Sequence, residues 1–519
     1  MFNNFKLFLL LSTFFVCAYS NLFAQYGYYN DISRFSHSFS GGSARIQGLG
    51  NAQTSLGGDI SSISGNPAGL GFFNKSVLSF GYELKSTNSN SKFLDGNTND
   101  LLSSNELNNI AFVLKLGKKN STFMCDDCPR LNIGFSYTKN KDFGSNIRYS
   151  GYNNDNSILD YFLEESQGVS FSQISSSLPI QGIGLLQEAY DHYLLNPISD
   201  LPNSYYSFVG GYPFQEEIIE NRGSISQFSL SSGINVKDKF YLGAGLNFYS
   251  IRYDRSRTYN ENNFEILVED QWVFEGILDY LSLNDFLAIY GNGFSTTLGI
   301  IFKPIHNLNF GISYESKKSM KLNEESYNQL ETNYFDYYFE SEDTVLQNAI
   351  SSTAKTVAEY KIISPSKLSI GSSFFYKKFG FITADVDLIN YSSAKVSSYD
   401  FDPFYDNREI IEMYKSLAIN YRIGLEGRYN DFYLRFGYNF LTNAYNKATE
   451  QTFNNDNSRI KKSVGIGYSN KIISIDLTYL VSKYSSKISP YTFKGQEPIA
   501  NSDVDNSTIL ISLGFKFNN

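Results

Sequence analysis

The stretch Leu417 to Phe440 reads LAINYRIGLEGRYNDFYLRFGYNF, and its period decides the fold. Leu417, Ile419, Tyr421, Ile423 and Leu425 alternate with Asn420, Arg422, Gly424 and Glu426. Beyond Asn430-Asp431 the alternation resumes, with Phe432, Leu434, Phe436, Tyr438 and Phe440 set between Tyr433, Arg435, Gly437 and Asn439. A period of two sends successive side chains to opposite faces of a strand, so each half is a ribbon with one apolar face. A two-residue turn at Asn430-Asp431 sets Tyr429 opposite Phe432, Leu425 opposite Phe436 and Glu426 opposite Arg435. Like faces meet, as a hairpin requires.

The same test applies on either side of this hairpin. About Lys237-Asp238-Lys239, Val236 meets Phe240 and Ile234 meets Leu242; about Asn470-Lys471, Tyr468 meets Ile473, Ile466 meets Ile475 and Val464 meets Leu477. The last ribbon, Ile509, Ile511, Leu513, Phe515 and Phe517, alternates in the same way. Fourteen ribbons are expected, beginning near Val77, Asn108, Arg130, Ser224, Phe240, Gly293, Leu308, Ile362, Phe379, Ser416, Phe432, Ile460, Ile472 and Ser507. Their links alternate short and long, the long ones covering Ser86 to Leu107, Lys139 to Gly223, Thr258 to Asn292, Ser316 to Lys361, Ser393 to Lys415, Ala444 to Arg459 and Ser485 to Asn506. An even strand count with alternating turns and loops is the pattern of a transmembrane antiparallel β-barrel of the outer-membrane type, both termini on the periplasmic side. Helical spacing within the loops predicts short helices at Ile158 to Glu165, Ile180 to Leu195 and Phe274 to Tyr290.

Composition agrees and excludes other classes. Of 519 residues only 18% are charged, yet the hydrophobic share is 42% and mean hydropathy is −0.28, which rules out a bundle of apolar helices of about 20 residues each. The apolar content is weighted to Phe (44) and Tyr (40), which favour strands. A net charge of −9 excludes a nucleic-acid partner, which needs a basic face. Residues 1–24 have the layout of a secretory signal peptide, with Lys6, an apolar run from Leu7 to Tyr19 and an exit at Leu22-Phe23-Ala24. Cys17 belongs to that segment. Cys125 and Cys128 form a C-x-x-C in an exported chain, read as a disulfide; no second pair completes a zinc site. Residues 77–519 then make the barrel.

Residues 25–76 do not alternate and are rich in Gly, Ser and Asn. About fifty residues make a poor core alone, while a fourteen-stranded barrel is too wide to fill its own interior, so a plug in the lumen is the economical expectation. Two stretches carry a resemblance: Gly42-Ser43-Ala44-Arg45-Ile46-Gln47-Gly48-Leu49-Gly50-Asn51-Ala52, and Leu56 to Leu70 with Asp59 and the triplet Asn66-Pro67-Ala68. Together they resemble the hatch of the FadL family of outer-membrane transporters of long-chain fatty acids and other hydrophobic compounds, Asn66-Pro67-Ala68 matching that family's NPA motif. The resemblance implies a monomeric barrel in outer-membrane lipid, in which extracellular loops capture a hydrophobic small molecule and movement of the hatch opens a passive route. A different class, a plugged barrel serving as a binding or protein-secretion scaffold, has the same architecture.

Individual residues follow from this frame. Asn66, Pro67 and Ala68 read as a rigid turn with Asn as its cap, gating following from it. Arg45 and Asp59 are charges within a lumen segment and are expected to pair with the plug or the wall. Arg422, Glu426, Arg428 and Arg435 face inward, Glu426 pairs with Arg435, and only Arg422, facing Asn439, lacks an obvious acid. Asp95 to Glu106 has calcium-loop oxygens, but Asp100 stands where the loop needs Gly, so no metal is assigned. His37, His192 and His306 fall in no metalloprotease motif, and neither a nucleophile elbow nor a P-loop is present, so no catalytic residue and no cofactor are expected.

Overall fold

The computed structural model describes residues 27–36, 41–116 and 130–519, apart from 181, 200, 202, 269–270, 274–275, 453–457, 494, 496 and 519. The signal peptide, Cys17, Cys125, Cys128 and His37 lie outside the described residues. Nineteen hydrogen-bonded segments compose one closed antiparallel barrel of fourteen strands. The strands are β1 Ser76–Phe93, β2 Gly96–Lys115, β3 Arg130–Asp142 continued by Ser145–Tyr152, β4 Phe214–Val236, β5 Phe240–Asn262, β6 Leu278–Ile305, and β7 Leu308–Glu315 continued by Ser319–Tyr334. Then come β8, in segments Ala349–Ser352, Thr356–Ile363 and Lys367–Tyr376, β9 Gly380–Ile389 continued by Lys395–Ser398, β10 Ala418–Tyr429, β11 Phe432–Leu441, β12 Arg459–Ser469, β13 Ile473–Ile488 and β14 Ala500–Phe517. Closure is the ladder from Ser76↔Phe517 to Lys92↔Asn501.

The outward face carries a band of exposed apolar residues. On β5 it runs Phe240, Leu242, Leu246 and Phe248, after which Ser250, Arg252 and Asp254 take the outward positions. Nine residues are what a tilted transmembrane strand needs (about 9–11). Since β4 and β5 have 23 residues each and β6 has 28, the wall continues far beyond that band at the long-loop end.

The register at Asn430-Asp431 is the expected one, with Tyr429↔Phe432 and Glu426↔Arg435, and so is that at Lys237-Asp238-Lys239. The register at Asn470 differs: Tyr468 pairs with Ile475 and Val464 with Tyr479. The Asn470 side-chain oxygen accepts from the amides of Ile472 and Ile473, both at 2.8 Å, which lengthens the turn. A slip of two residues leaves every side chain on its expected face. Three loop expectations are overturned, one being Ser316 to Lys361, of which Ser319–Tyr334 is strand paired with β6 and β8. Ser86 to Leu107 is no loop, because β1 and β2 stay paired to the tip at Phe93↔Gly96; this holds the calcium-like stretch in an extended ladder and removes that reading. Phe274 to Tyr290 is not helical from Leu278 onward, because Tyr280–Phe294 pairs with β5 on one edge and β7 on the other, and the two ladders override local helical spacing.

The helix Ile158–Ser166 forms as expected, and Gly184–Asp191 forms within the second predicted range. The first is tied down by Glu261 of β5, whose carboxylate accepts from the Ser157 hydroxyl (2.6 Å) and the Ile158 amide (2.9 Å). Leu159, Phe162, Leu186 and Leu195 pack with Tyr259, Leu281 and Leu330 into an apolar cap on the high side of the wall. His192 is buried in that cap, its ring nitrogens 2.8 Å from the Thr332 hydroxyl and 2.7 Å from the Ser351 hydroxyl. Burial pushes the imidazole down to about 4 from its ordinary 6.5. An unfolded cap takes up a proton below about pH 6.5 while the folded cap stays neutral, so this contribution is intact above 6.5 and is lost as pH falls toward 4, by up to about 3 kcal/mol. Hydrogen exchange of residues 184–195 should accelerate between pH 6.5 and 4 beyond the intrinsic rate, and His192→Gln should flatten that dependence.

Candidate functional site

Residues 41–75 fold as three short helical turns, each capped by its own side chain. Ser43 caps Ala44–Gln47, its hydroxyl accepting from the Ile46 amide at 3.2 Å. Asp59 caps Ile60–Ile63, accepting from the Ser61 amide (2.9 Å) and the Ser43 hydroxyl (2.8 Å), so the first and second turns share one carboxylate. Asn66 caps Pro67–Phe72: its oxygen accepts from the Ala68 amide (3.1 Å) and its nitrogen donates to the Thr54 carbonyl (2.6 Å). Pro67 stands at the first helical position, where its missing N–H costs nothing. Asn66-Pro67-Ala68 is thus a cap and a brace.

This inner segment touches inward-facing residues around most of the barrel. Asn108 and Asn109 of β2 both donate to the Gly42 carbonyl at 2.9 Å. Asn132 of β3 donates to the carbonyls of Leu70 (2.7 Å) and Phe73 (3.0 Å), and Ser231 of β4 to that of Ile63 (2.6 Å). Asn309 of β7 donates to Ser55 (3.1 Å), the hydroxyls of Ser55 and Ser373 of β8 lie 2.5 Å apart, and Thr478 of β13 donates to Ala44 (2.6 Å). Asp385 of β9 accepts from the amides of Gln53 (2.7 Å) and Thr54 (2.9 Å) and from the Thr54 hydroxyl (2.8 Å) on one oxygen. Backbone inside a protein must find such partners or lose about 1–3 kcal/mol per group.

Close approach requires glycine on the wall. A methyl at Gly243 would lie 2.2 Å from the Pro67 carbonyl carbon, at Gly311 2.1 Å from the Thr54 oxygen, and at Gly437 2.1 Å from the Gly50 nitrogen. Gly50 itself has φ +64° with Tyr438 backbone 2.7 Å from its own missing Cβ, so no other residue fits there. These wall glycines occupy polar-face positions in the sequence, and their recurrence strand after strand is the signal that sequence reasoning passed over.

The candidate charges divide into two clusters. Arg45 donates to Glu426 at 3.2 Å and stands 3.7 Å from Asp59; Arg435 donates to Glu426 at 2.7 Å and to Asp476 of β13 at 2.6 Å. Arg435 and Glu426 are buried. Arg422 does have acids, Asp387 in direct contact and Asp385 at 3.7 Å, both on β9 rather than on the hairpin partner β11. Arg428 stands at the end of β10, exposed at the mouth of the lumen, where it donates to the Asn430 carbonyl at 2.8 Å and borders the same cavity as Arg45 and Glu426. Asp385, Asp387 and Asp476 were missed, although "ITADVDLI" at 382–389 shows both β9 acids on the polar face.

Two further spaces flank the inner segment. Below it, toward the short turns, is a cavity of about 460 Å³ bordered by Arg45, Asp59, Glu426, Arg435, Lys75 and Lys516. Above it, the helix Asn30–Ser36 fills an apolar cluster, with Ile32 and Phe35 buried against Ile225, Tyr253, Leu322 and Tyr360. Beside that cluster is a cavity of about 140 Å³ lined by Lys85, Lys139, Lys141, Arg459 and Lys461 with only Glu83 and Asp142 as carboxylates. Phe143 joins the two, lining the cavity and meeting the Phe35 ring edge-on at 6.0 Å. Among the described residues the ladder between β2 and β3 runs from Asn109↔Thr138 to Lys115↔Asn132, and Gly41 and Gly42 sit at its Asn109 end.

Valine at both Gly243 and Gly437 should expel the inner segment while leaving the strand ladder intact, each overlap costing about 1–3 kcal/mol or more. Planar-bilayer recording should then show open-pore steps absent from the parent protein, with unchanged β-sheet circular dichroism.

No protein-family model matches the sequence, and no curated protein is similar to it in sequence. Among solved structures, a FadL homologue of Pseudomonas aeruginosa aligns with TM-score 0.54 and 12% identity over 93% of this chain and 100% of that one. The toluene transporter TodX of Pseudomonas putida aligns with TM-score 0.51 and 13% identity over 93% and 100%. The protein thus has the FadL-type outer-membrane barrel fold.

Proposed function

We propose that this protein is an outer-membrane channel for passive uptake of hydrophobic small molecules, gated by residues 41–75 acting as a hatch, with the short turns in the periplasm. The observation that carries this reading is the lumen above the hatch, where an apolar cluster filled by Ile32 and Phe35 adjoins a cationic cavity. An amphiphile with an aliphatic or aromatic tail and a carboxylate head fits both: the tail takes the place of Ile32 and Phe35, and the head meets Lys85, Arg459 and Lys461. A long-chain fatty acid has this chemistry. Two structural neighbours, a toluene transporter and a FadL homologue, support uptake of apolar solutes in general. The polar seam between hatch and wall also suits movement, because its hydrogen bonds can be exchanged for bonds to water at a net cost of only about 1 kcal/mol each.

The test is uptake into liposomes by the mature chain, comparing oleate with toluene. Both should cross faster than into protein-free liposomes. Replacing Lys85, Arg459 and Lys461 by Ala should slow oleate roughly tenfold, the worth of one charge-assisted hydrogen bond, and leave toluene within about twofold. If neither solute crosses above background the channel reading is wrong; if the triple variant treats both alike, the cationic cavity is not the head-group site.

A further inference from the structure

The chain is net acidic, yet its short-turn rim is basic. Lys237 and Lys239 follow β4, Lys303 ends β6, Lys377 and Lys378 follow β8, and Lys471 follows β12; the acids on these turns and on that of β10 are Asp238 and Asp431. Asp238 is engaged by Arg130. Among the described residues none of the six lysines has a carboxylate in ion-pair range. The opposite rim behaves differently: Arg222 pairs with Glu220 (3.3 Å), Arg252 with Asp254 (2.7 Å), Lys321 with Glu359 (2.8 Å) and Lys483 with Asp505 (2.9 Å). Several cations at the long-loop end of the apolar band thus have an acid alongside, whereas the six lysines of the short-turn rim have none in ion-pair range among the described residues.

Their depth is set by their neighbours. Phe240 follows Lys239, Phe302 and Ile305 flank Lys303, Tyr376 and Phe379 flank Lys377-Lys378, and Ile472 follows Lys471, all of them exposed on the outer face at the end of the apolar band. An ammonium one or two residues beyond the last lipid-facing ring lies at the level of lipid head groups, where Lys or Arg is attracted to an anionic surface. We infer that this rim binds anionic phospholipid head groups of the membrane leaflet it faces, which fixes the depth of the barrel and holds a shell of acidic lipid around its short-turn end. The inference rests on the channel reading only for which leaflet that is; the lipid preference is independent of uptake.

The experiment is lipid retention by the full mature chain, measured by native mass spectrometry after exchange from detergent into mixed phosphatidylglycerol and phosphatidylcholine. The parent protein should keep phosphatidylglycerol at least several-fold over phosphatidylcholine, and the preference should vanish at high salt. A sextuple Lys→Gln variant at 237, 239, 303, 377, 378 and 471 should lose that preference, while Lys→Gln at 92, 321, 355, 361, 462 and 483 should keep it. Equal retention of the two lipids by the parent overturns the inference, whether the rim then has no ligand or binds an acidic protein. So does an unchanged preference in the rim variant. Should that variant fail to fold, the salt dependence of the parent decides alone.

Discussion

A polypeptide packed against the inner wall of a closed barrel must find its hydrogen-bond partners in that wall wherever it is shielded from water, and the rest of this structure follows from that constraint. The wall supplies the missing partners at defined points: Asp385 takes three hydrogen bonds from Gln53 and Thr54, Asn132 reaches two carbonyls, and Asn108 with Asn109 share one. Such short reaches demand that backbone approach backbone, which accounts for glycine at Gly243, Gly311 and Gly437. The three self-capped turns of the inner segment reduce the number of groups the wall must serve.

Charge obeys the same constraint more severely. Removing one member of a buried pair costs about 3–5 kcal/mol because its partner stays behind uncompensated, so Arg435 is enclosed by Glu426 and Asp476, and Glu426 is shared with Arg45 of the inner segment. Arg45 is the one member that can leave: when it withdraws, Glu426 retains Arg435. On the proposed movement the wall keeps one guanidinium between two carboxylates, the same excess of one negative charge as with the segment in place, because the segment carries Asp59 with Arg45. Under the proposed gating, a seam built this way holds the closed state without making the open state prohibitive.

The strand count, the polar and apolar faces and the hairpin at Asn430-Asp431 were legible in the sequence because each depends on residues joined by a short turn. What was not legible depended on contacts across long connections. The acids of Arg422 sit on β9, which reaches β10 only through the long loop before Ala418, so the reading paired Arg422 with Asn439 on the nearer strand. The turn at Asn470 slipped by two residues because one Asn side chain reshaped it without changing any face. The outer hairpin of β1 and β2 looked like a loop because both of its faces are polar, as they can be where the wall stands clear of lipid. Motif matching located Asn66-Pro67-Ala68 but could not show that Asn66 braces the segment through Thr54.

The central claim is that solute passes only when the inner segment moves relative to the wall. The hydroxyls of Ser55 and Ser373, 2.5 Å apart and buried, allow a direct test. With Cys at both positions, and Ser at Cys125 and Cys128, a disulfide between 55 and 373 needs little rearrangement. Uptake of oleate into liposomes should be abolished by oxidation and restored by reductant. Equal uptake in the oxidised and reduced protein, with the cross-link verified by mass, would contradict the account.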